Sequence, residues 1–181
     1  MSALKPTLGV LVMLGIAILG PARGLAQQPQ IPTLQACNPT KVAGKASVFI
    51  QARKDAVRAG AFTVAIELSC DPAGNGYPAG SLEMRVDMSD STVVGALVAT
   101  TFEQATTTGK HTPTTYLNGR CKAERIRGCR YWMMLADNKR AGAEGTPDVV
   151  GFLVFDATGK RVAYGTGPVA KGDISIAATG F

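Results

Sequence analysis

Apolar and polar residues alternate along most of this chain with a period of two, the spacing that puts one set of side chains on each face of an extended strand. Phe62, Val64, Ile66 and Leu68 interleave with Thr63, Ala65, Glu67 and Ser69. Leu82 to Ser89 is more regular still, with Leu82, Met84, Val86 and Met88 pointing one way and Glu83, Arg85, Asp87 and Ser89 the other. Wound as a helix, that segment would scatter its charges around every side. Val93 to Phe102 predicts a strand bulged at Gly95, with a short helix as the alternative that its alanines allow. Arg130 to Ala136 is the most apolar segment, Tyr131, Met133 and Leu135 on one side and Trp132 and Met134 on the other, which predicts a central strand. Val149 to Phe155 and Lys160 to Thr166 flank Asp156-Ala157-Thr158-Gly159, a hairpin connection in which Gly159 takes a positive φ. A last short strand spans Ile174 to Ala178.

The segments between are built from turn formers. Cys70 to Gly80 holds three glycines and two prolines, and Asp137 to Asp148 is polar and glycine-bearing, so both predict surface loops. Thr106 to Thr115 reads as an exposed loop or edge, because Gly109 and Pro113 interrupt a run of strand-forming threonines. About eight strands and no amphipathic helix predict an all-β fold, an antiparallel β-sandwich of immunoglobulin-like architecture. The similarity is to an architecture and not to a family. Trp132 follows Cys129 by three residues instead of sitting deep between two cysteines, and no Tyr-x-Cys corner is present.

The N-terminal segment sets the compartment. Lys5 precedes the apolar run Leu8 to Leu19, and Gly24-Leu25-Ala26 supplies the small residues at which a signal peptidase cleaves. The run of 12 residues, roughly 18 Å as a helix, is too short for a hydrocarbon core of about 30 Å, and no later stretch reaches the roughly 20 residues a spanning helix needs. Residues 1–26 are therefore expected to be a signal peptide, 27–36 a flexible Gln/Pro-rich arm, and 37–181 one domain. The protein is expected to be exported, to the periplasm, the cell surface or the medium.

In an oxidising compartment Cys37, Cys70, Cys121 and Cys129 read as two disulfides. Of the three connectivities, Cys37 with Cys70 and Cys121 with Cys129 is favoured, because the second pair closes only the segment Lys122 to Gly128 between two strands. A zinc site is disfavoured by the Cys-x7-Cys spacing and by a single histidine, His111. Leu34-Gln35-Ala36-Cys37 resembles a lipoprotein cleavage box but lies 15 residues beyond the apolar run, and acylating Cys37 would strand one thiol.

Without Lys5 and Arg23, the 19 basic residues fall to 17 against 13 acidic ones, a net of about +4. That surplus is concentrated in one place. Arg120, Lys122, Arg125, Arg127 and Arg130 lie within 11 residues beside one acid, Glu124, and the Cys121–Cys129 bridge would turn them into a preorganised cationic loop. An anionic partner is expected there: a glycan, a lipid headgroup or an acidic protein surface. Assembly with another protein fits equally, whereas nucleic acid is not implied by so mild a net charge.

No catalytic or cofactor motif stands out. A triad would have to use His111, which sits in a Gly/Thr/Pro segment with no Gly-x-Ser-x-Gly elbow in the chain. Met84 and Met88 share a face with Leu82 and Val86 and read as core, not as copper ligands. The terminal Phe181 suggests an outer-membrane barrel, but strands read as shorter than about ten residues and a 6% aromatic content argue against one. The expected function is that of an exported, noncatalytic binding, assembly or surface module; the alternative is a small hydrolase whose site is assembled from separated loops.

Overall fold

The computed structural model describes residues 37–38, 40–50, 59–70, 76–89, 95–138 and 145–178. The signal segment 1–26, the arm 27–36, Phe181 and the side chain of Arg127 lie outside that description. Eight strands follow one another: β1 (Thr40–Ile50), β2 (Gly60–Cys70), β3 (Ala79–Met88), β4 (Gly95–Thr108), β5 (Thr114–Ala123), β6 (Ile126–Ala136), β7 (Val149–Asp156) and β8 (Arg161–Ala178). Each pairs antiparallel with the next, and β8 returns to β1. The all-β, antiparallel, disulfide-stapled expectation holds. The sandwich and its immunoglobulin-like form do not: the strands make one closed up-and-down barrel.

The reason lies in β8. Lys160 to Thr166 and Ile174 to Ala178, read as separate strands, are parts of one 18-residue strand that serves two partners in succession. Its first half pairs with β7 from Phe155↔Arg161 to Val149↔Pro168, and its second half with β1 from Val48↔Val169 to Thr40↔Ala178. That stagger is what closing a sheet on itself demands. Pro168 sits where β8 parts from β7, so its missing N–H costs no ladder bond there. Gly172 takes a φ of +95° two residues from Ala170, the extra residue that β8 carries where its register with β1 shifts. The threonine run likewise continues β4 to Thr108, turns, and re-enters as β5 at Thr114.

The interior is apolar and filled. Phe62 and Phe152 meet edge to face with centroids 4.8 Å apart, and Leu82, Leu97, Leu117 and Tyr131 are also fully buried. The Tyr131 hydroxyl donates to the Thr101 carbonyl at 3.2 Å, and burial pushes its pKa well above the ordinary tyrosine value. Gly165 is the space that lets the two phenyl rings meet, since a Cβ there would lie 2.8 Å from Phe152 and 3.1 Å from Phe62. Gly165→Val is therefore expected to cost about 1 to 3 kcal/mol by overpacking, read as a lowered melting temperature. An unchanged melting temperature would show that the rings have room to yield.

Seven of the eight strands reach ten residues or more, so the expectation of short strands was wrong and strand length does not separate this barrel from a lipid-embedded one. Side-chain polarity is informative instead. Exposed positions on β1 to β3 and the far half of β8 carry Lys41, Lys45, Glu67, Glu83, Arg85, Asp87, Lys171 and Asp173 around an apolar interior. Lipid-spanning barrels show the reverse arrangement.

The β3–β4 ladder runs only from Glu83↔Val98 to Val86↔Gly95. Beyond it, Cys37 bridges to Ala105 in parallel, and the Asn38 amide mimics a peptide, donating to the Thr107 carbonyl at 2.7 Å and accepting from the Thr107 N–H at 2.8 Å. Cys37 is disulfide-bonded to Cys70 at the end of β2, with Cα atoms 6.1 Å apart. The Cys37 sulfur also lies 3.3 Å from the Gly76 carbonyl oxygen.

Candidate functional site

With the barrel interior occupied by side chains, the place to look is the outer wall. On β4 to β8 the registers align outward residues into cross-strand rows. Gln104, Asn118, Trp132, Leu153 and Tyr164 form one row, and Thr106, Tyr116, Met134, Gly151 and Thr166 the next. These ten residues line a groove of about 620 Å³. Trp132 is 55% exposed, Tyr116 51% and Leu153 37%, so an aromatic and apolar set faces water on one side of a barrel whose opposite wall is charged. Gly151 makes the dent. A Cβ there would lie 3.1 Å from Thr166 Oγ1 and 3.6 Å from Met134 Cε, so even a small side chain would begin to fill the floor.

A third row borders the groove: Thr101, Arg120, Arg130, Phe155 and Arg161 are successive register partners. The β4 register skips at Glu103, a bulge that re-aims its carboxylate. Arg130 Nη2 donates to both Glu103 oxygens at 2.7 and 3.0 Å, and Arg120 Nε donates to Oε1 at 3.2 Å. The hydrogen bond from Arg130 foremost holds the Glu103 carboxyl below its ordinary pKa. The pairs are solvent-exposed and order the side chains more than they stabilise the fold, each worth at most about 1 kcal/mol. The Arg161 guanidinium lies 4.1 Å from the Tyr164 ring centroid, a cation–π contact at the groove edge. Asp156 is turned away into the β7–β8 hairpin, where Oδ1 accepts from Thr158 Oγ1, Thr158 N and Lys160 N.

Of the five cations expected to act together, Arg120, Lys122, Arg125 and Arg130 have described side chains. Arg120 and Arg130 are register partners in the third row and share Glu103, which lies outside the sequence window that holds them. Lys122 is exposed further along β5, and Arg125 is exposed in the two-residue turn to β6. Cys121 and Cys129 are register partners joined by a disulfide, with Cα atoms 4.9 Å apart, and close the hairpin as expected. His111 is exposed in the β4–β5 turn. Met84, Met88 and Met133 are core residues, while Met134 faces the groove. Among the described residues no group of three or more His, Cys, Asp and Glu side chains is placed to hold a metal ion.

Sequence reasoning missed Trp132, Tyr116 and Tyr164 as surface residues, although one signal was present. β6 is apolar on both faces where β2 and β3 alternate cleanly. In a single-layered barrel that second apolar face has nothing to cover it.

No family model, curated protein or solved structure matches the chain. Geometry alone therefore defines its class: a disulfide-bonded, eight-stranded up-and-down barrel with a filled apolar interior and an aromatic groove on its outer wall.

Proposed function

We propose that this barrel is an exported, noncatalytic binding module that holds an extended ligand against the outer wall of β4 to β8. The observation that carries the reading is the groove itself, with Trp132, Tyr116 and Leu153 exposed around the Gly151 dent. Large side chains that are ordered, water-exposed and clustered gain free energy when a ligand covers them, and amphipathic rings do so at small entropic cost. Two disulfides fit an oxidising compartment. Arg120 and Arg130 bring part of the cationic hairpin into this face, with Lys122 and Arg125 extending the positive field beyond it.

Trp132 is the chain's single tryptophan, so its fluorescence reports on the groove directly. Titration with a soluble neutral polysaccharide, an acidic polysaccharide and anionic phospholipid vesicles should shift its emission and shield it from acrylamide for at least one of them. Gly151→Leu, which fills the dent, should weaken that binding about tenfold while the melting temperature stays high. Emission insensitive to all three ligands would remove the groove as a binding site.

A further inference from the structure

The identity of the ligand is written in the chemistry around the groove, and this step rests on the binding-face reading above. We infer that the ligand is an acidic polysaccharide, a chain of sugar rings bearing carboxylates or sulfates, laid across β5 to β8 with its anionic groups on Arg130 and Arg161. The first argument is charge. Arg120, Arg130 and Arg161 stand in one cross-strand row beside the groove against a single acid, Glu103, and no residue lining the groove is charged. Glu103 holds the Arg120 and Arg130 head groups in place and leaves the row net positive. Arg161 is braced on Tyr164. Preformed guanidinium groups recognise carboxylate and sulfate by paired hydrogen bonds with less ordering cost than free side chains.

The second argument is the alternation of rings with neutral hydrogen-bonding groups. A pyranose ring has an apolar C–H face, which packs flat on an aromatic ring, and an equatorial rim of hydroxyls, which donate and accept. The groove supplies both kinds of partner. Trp132, Tyr116 and Tyr164 offer ring faces, and Gln104, Asn118 and Thr166 offer amides and a hydroxyl between them. Asn118 Nδ2 donates to Gln104 Oε1 at 3.3 Å, which orients the amide pair at the β4–β5 side.

The same features weigh against a lipid surface. Pressing the groove into a lipid bilayer would bury those amides and hydroxyls without partners, at a cost of several kcal/mol for each group left unsatisfied in hydrocarbon. Five strands about 4.8 Å apart and three rows about 7 Å apart make a strip about 19 by 14 Å between its outermost backbones. It suits a narrow linear polymer.

The test uses the full exported chain, with Trp132 emission and affinity electrophoresis as readouts. The probes are polygalacturonate and heparin as acidic polysaccharides, dextran as the neutral one, oligothymidylate, and phosphatidylglycerol vesicles. The acidic polysaccharides are expected to bind at least tenfold tighter than dextran at low salt, a preference that shrinks as ionic strength rises. Arg130→Gln with Arg161→Gln should remove that preference and leave dextran binding as it was, whereas Tyr116→Ala should weaken both. Lys45→Gln with Lys171→Gln, on the opposite wall, should change neither. Equal affinity for dextran and polygalacturonate would overturn the inference and leave the binding face standing. Tighter binding of vesicles or oligothymidylate, or an equal loss from the opposite-wall pair, would overturn it as well. Silence toward every probe would take down the binding-face reading too.

Discussion

Replacing both Cys37 and Cys70 with alanine is expected to destabilise the barrel by about 3.7 kcal/mol, more than any other loss of a single covalent link. The chain-entropy cost of a cross-link grows with the loop it closes, and a separation of 33 residues corresponds to about 3.7 kcal/mol against about 2.5 kcal/mol for the 8-residue separation of Cys121 and Cys129. In a domain of this size that difference from the native protein lowers the melting temperature by about 7 to 15 °C. A local effect accompanies the global one. The bridge anchors the segment that completes the wall beyond the short β3–β4 ladder, so the Thr107 amide, held by Asn38 Oδ1, should exchange with solvent faster once the anchor is cut. Thermal melts of the two double-alanine variants with amide hydrogen exchange test both statements. A larger cost for the Cys121–Cys129 pair, or unchanged exchange at Thr107, would show that the seam does not depend on this bridge.

Asp148→Ala is expected to cost about 3 kcal/mol or more, the largest effect of any single polar residue in the barrel. Asp148 is fully buried at the point where β8 parts from β7. Its carboxylate accepts from the backbone N–H of Ile174 at 3.0 Å and of Asn138 at 3.1 Å, while its own carbonyl accepts from Val169 N–H at 2.7 Å. Past Pro168 the edge of β8 that faced β7 has lost its partner strand, and the Asp148 and Asp137 carboxylates take over by accepting from Ile174 and Ile176. Removing Asp148 takes the side-chain acceptor from the buried Ile174 N–H and the half-buried Asn138 N–H, and a hydrogen bond to a charged group is worth about 1.5 to 3 kcal/mol. Asp137→Ala, which removes the acceptor of the Ile176 N–H, should be destabilising as well. Asp148→Asn, which keeps one acceptor oxygen, should fall between Asp148→Ala and the native protein. Denaturant unfolding of the three variants gives the order. A cost for Asp148→Ala within about 0.5 kcal/mol of zero would mean that other groups close the barrel at this point.

Which residues point inward was legible from the sequence in most strands. Leu82, Met84, Val86 and Met88 are all in the core, and so is the Phe62 to Leu68 series, because burial of one face follows from a period of two whatever the strand packs against. The β7–β8 turn was legible for the same local reason, with Gly159 at a φ of +82°. The bridge between Cys121 and Cys129 followed from a short loop between adjacent strands, and it occupies that register. The candidate site was much less visible. Arg120 and Arg130 stand out in the sequence as part of a cationic hairpin, but Glu103, which orders them, comes from β4 and reaches them through a bulge that no sequence pattern marked.

Residue order alone shows that the chain is built of strands, which face of each is apolar, and how several neighbouring strands turn into one another. These are local properties, set by side-chain alternation and turn chemistry over a few residues. Only the tertiary structure decided between two packed sheets and one closed wall, because that choice rests on pairing the first strand with the last, Thr40 with Ala178, and alternation is identical in both cases. Strand pairing also built the groove, because the registers of β4 to β8 bring Gln104, Asn118, Trp132, Leu153 and Tyr164 into one outward row beside Thr106, Tyr116, Met134, Gly151 and Thr166, residues far apart along the chain.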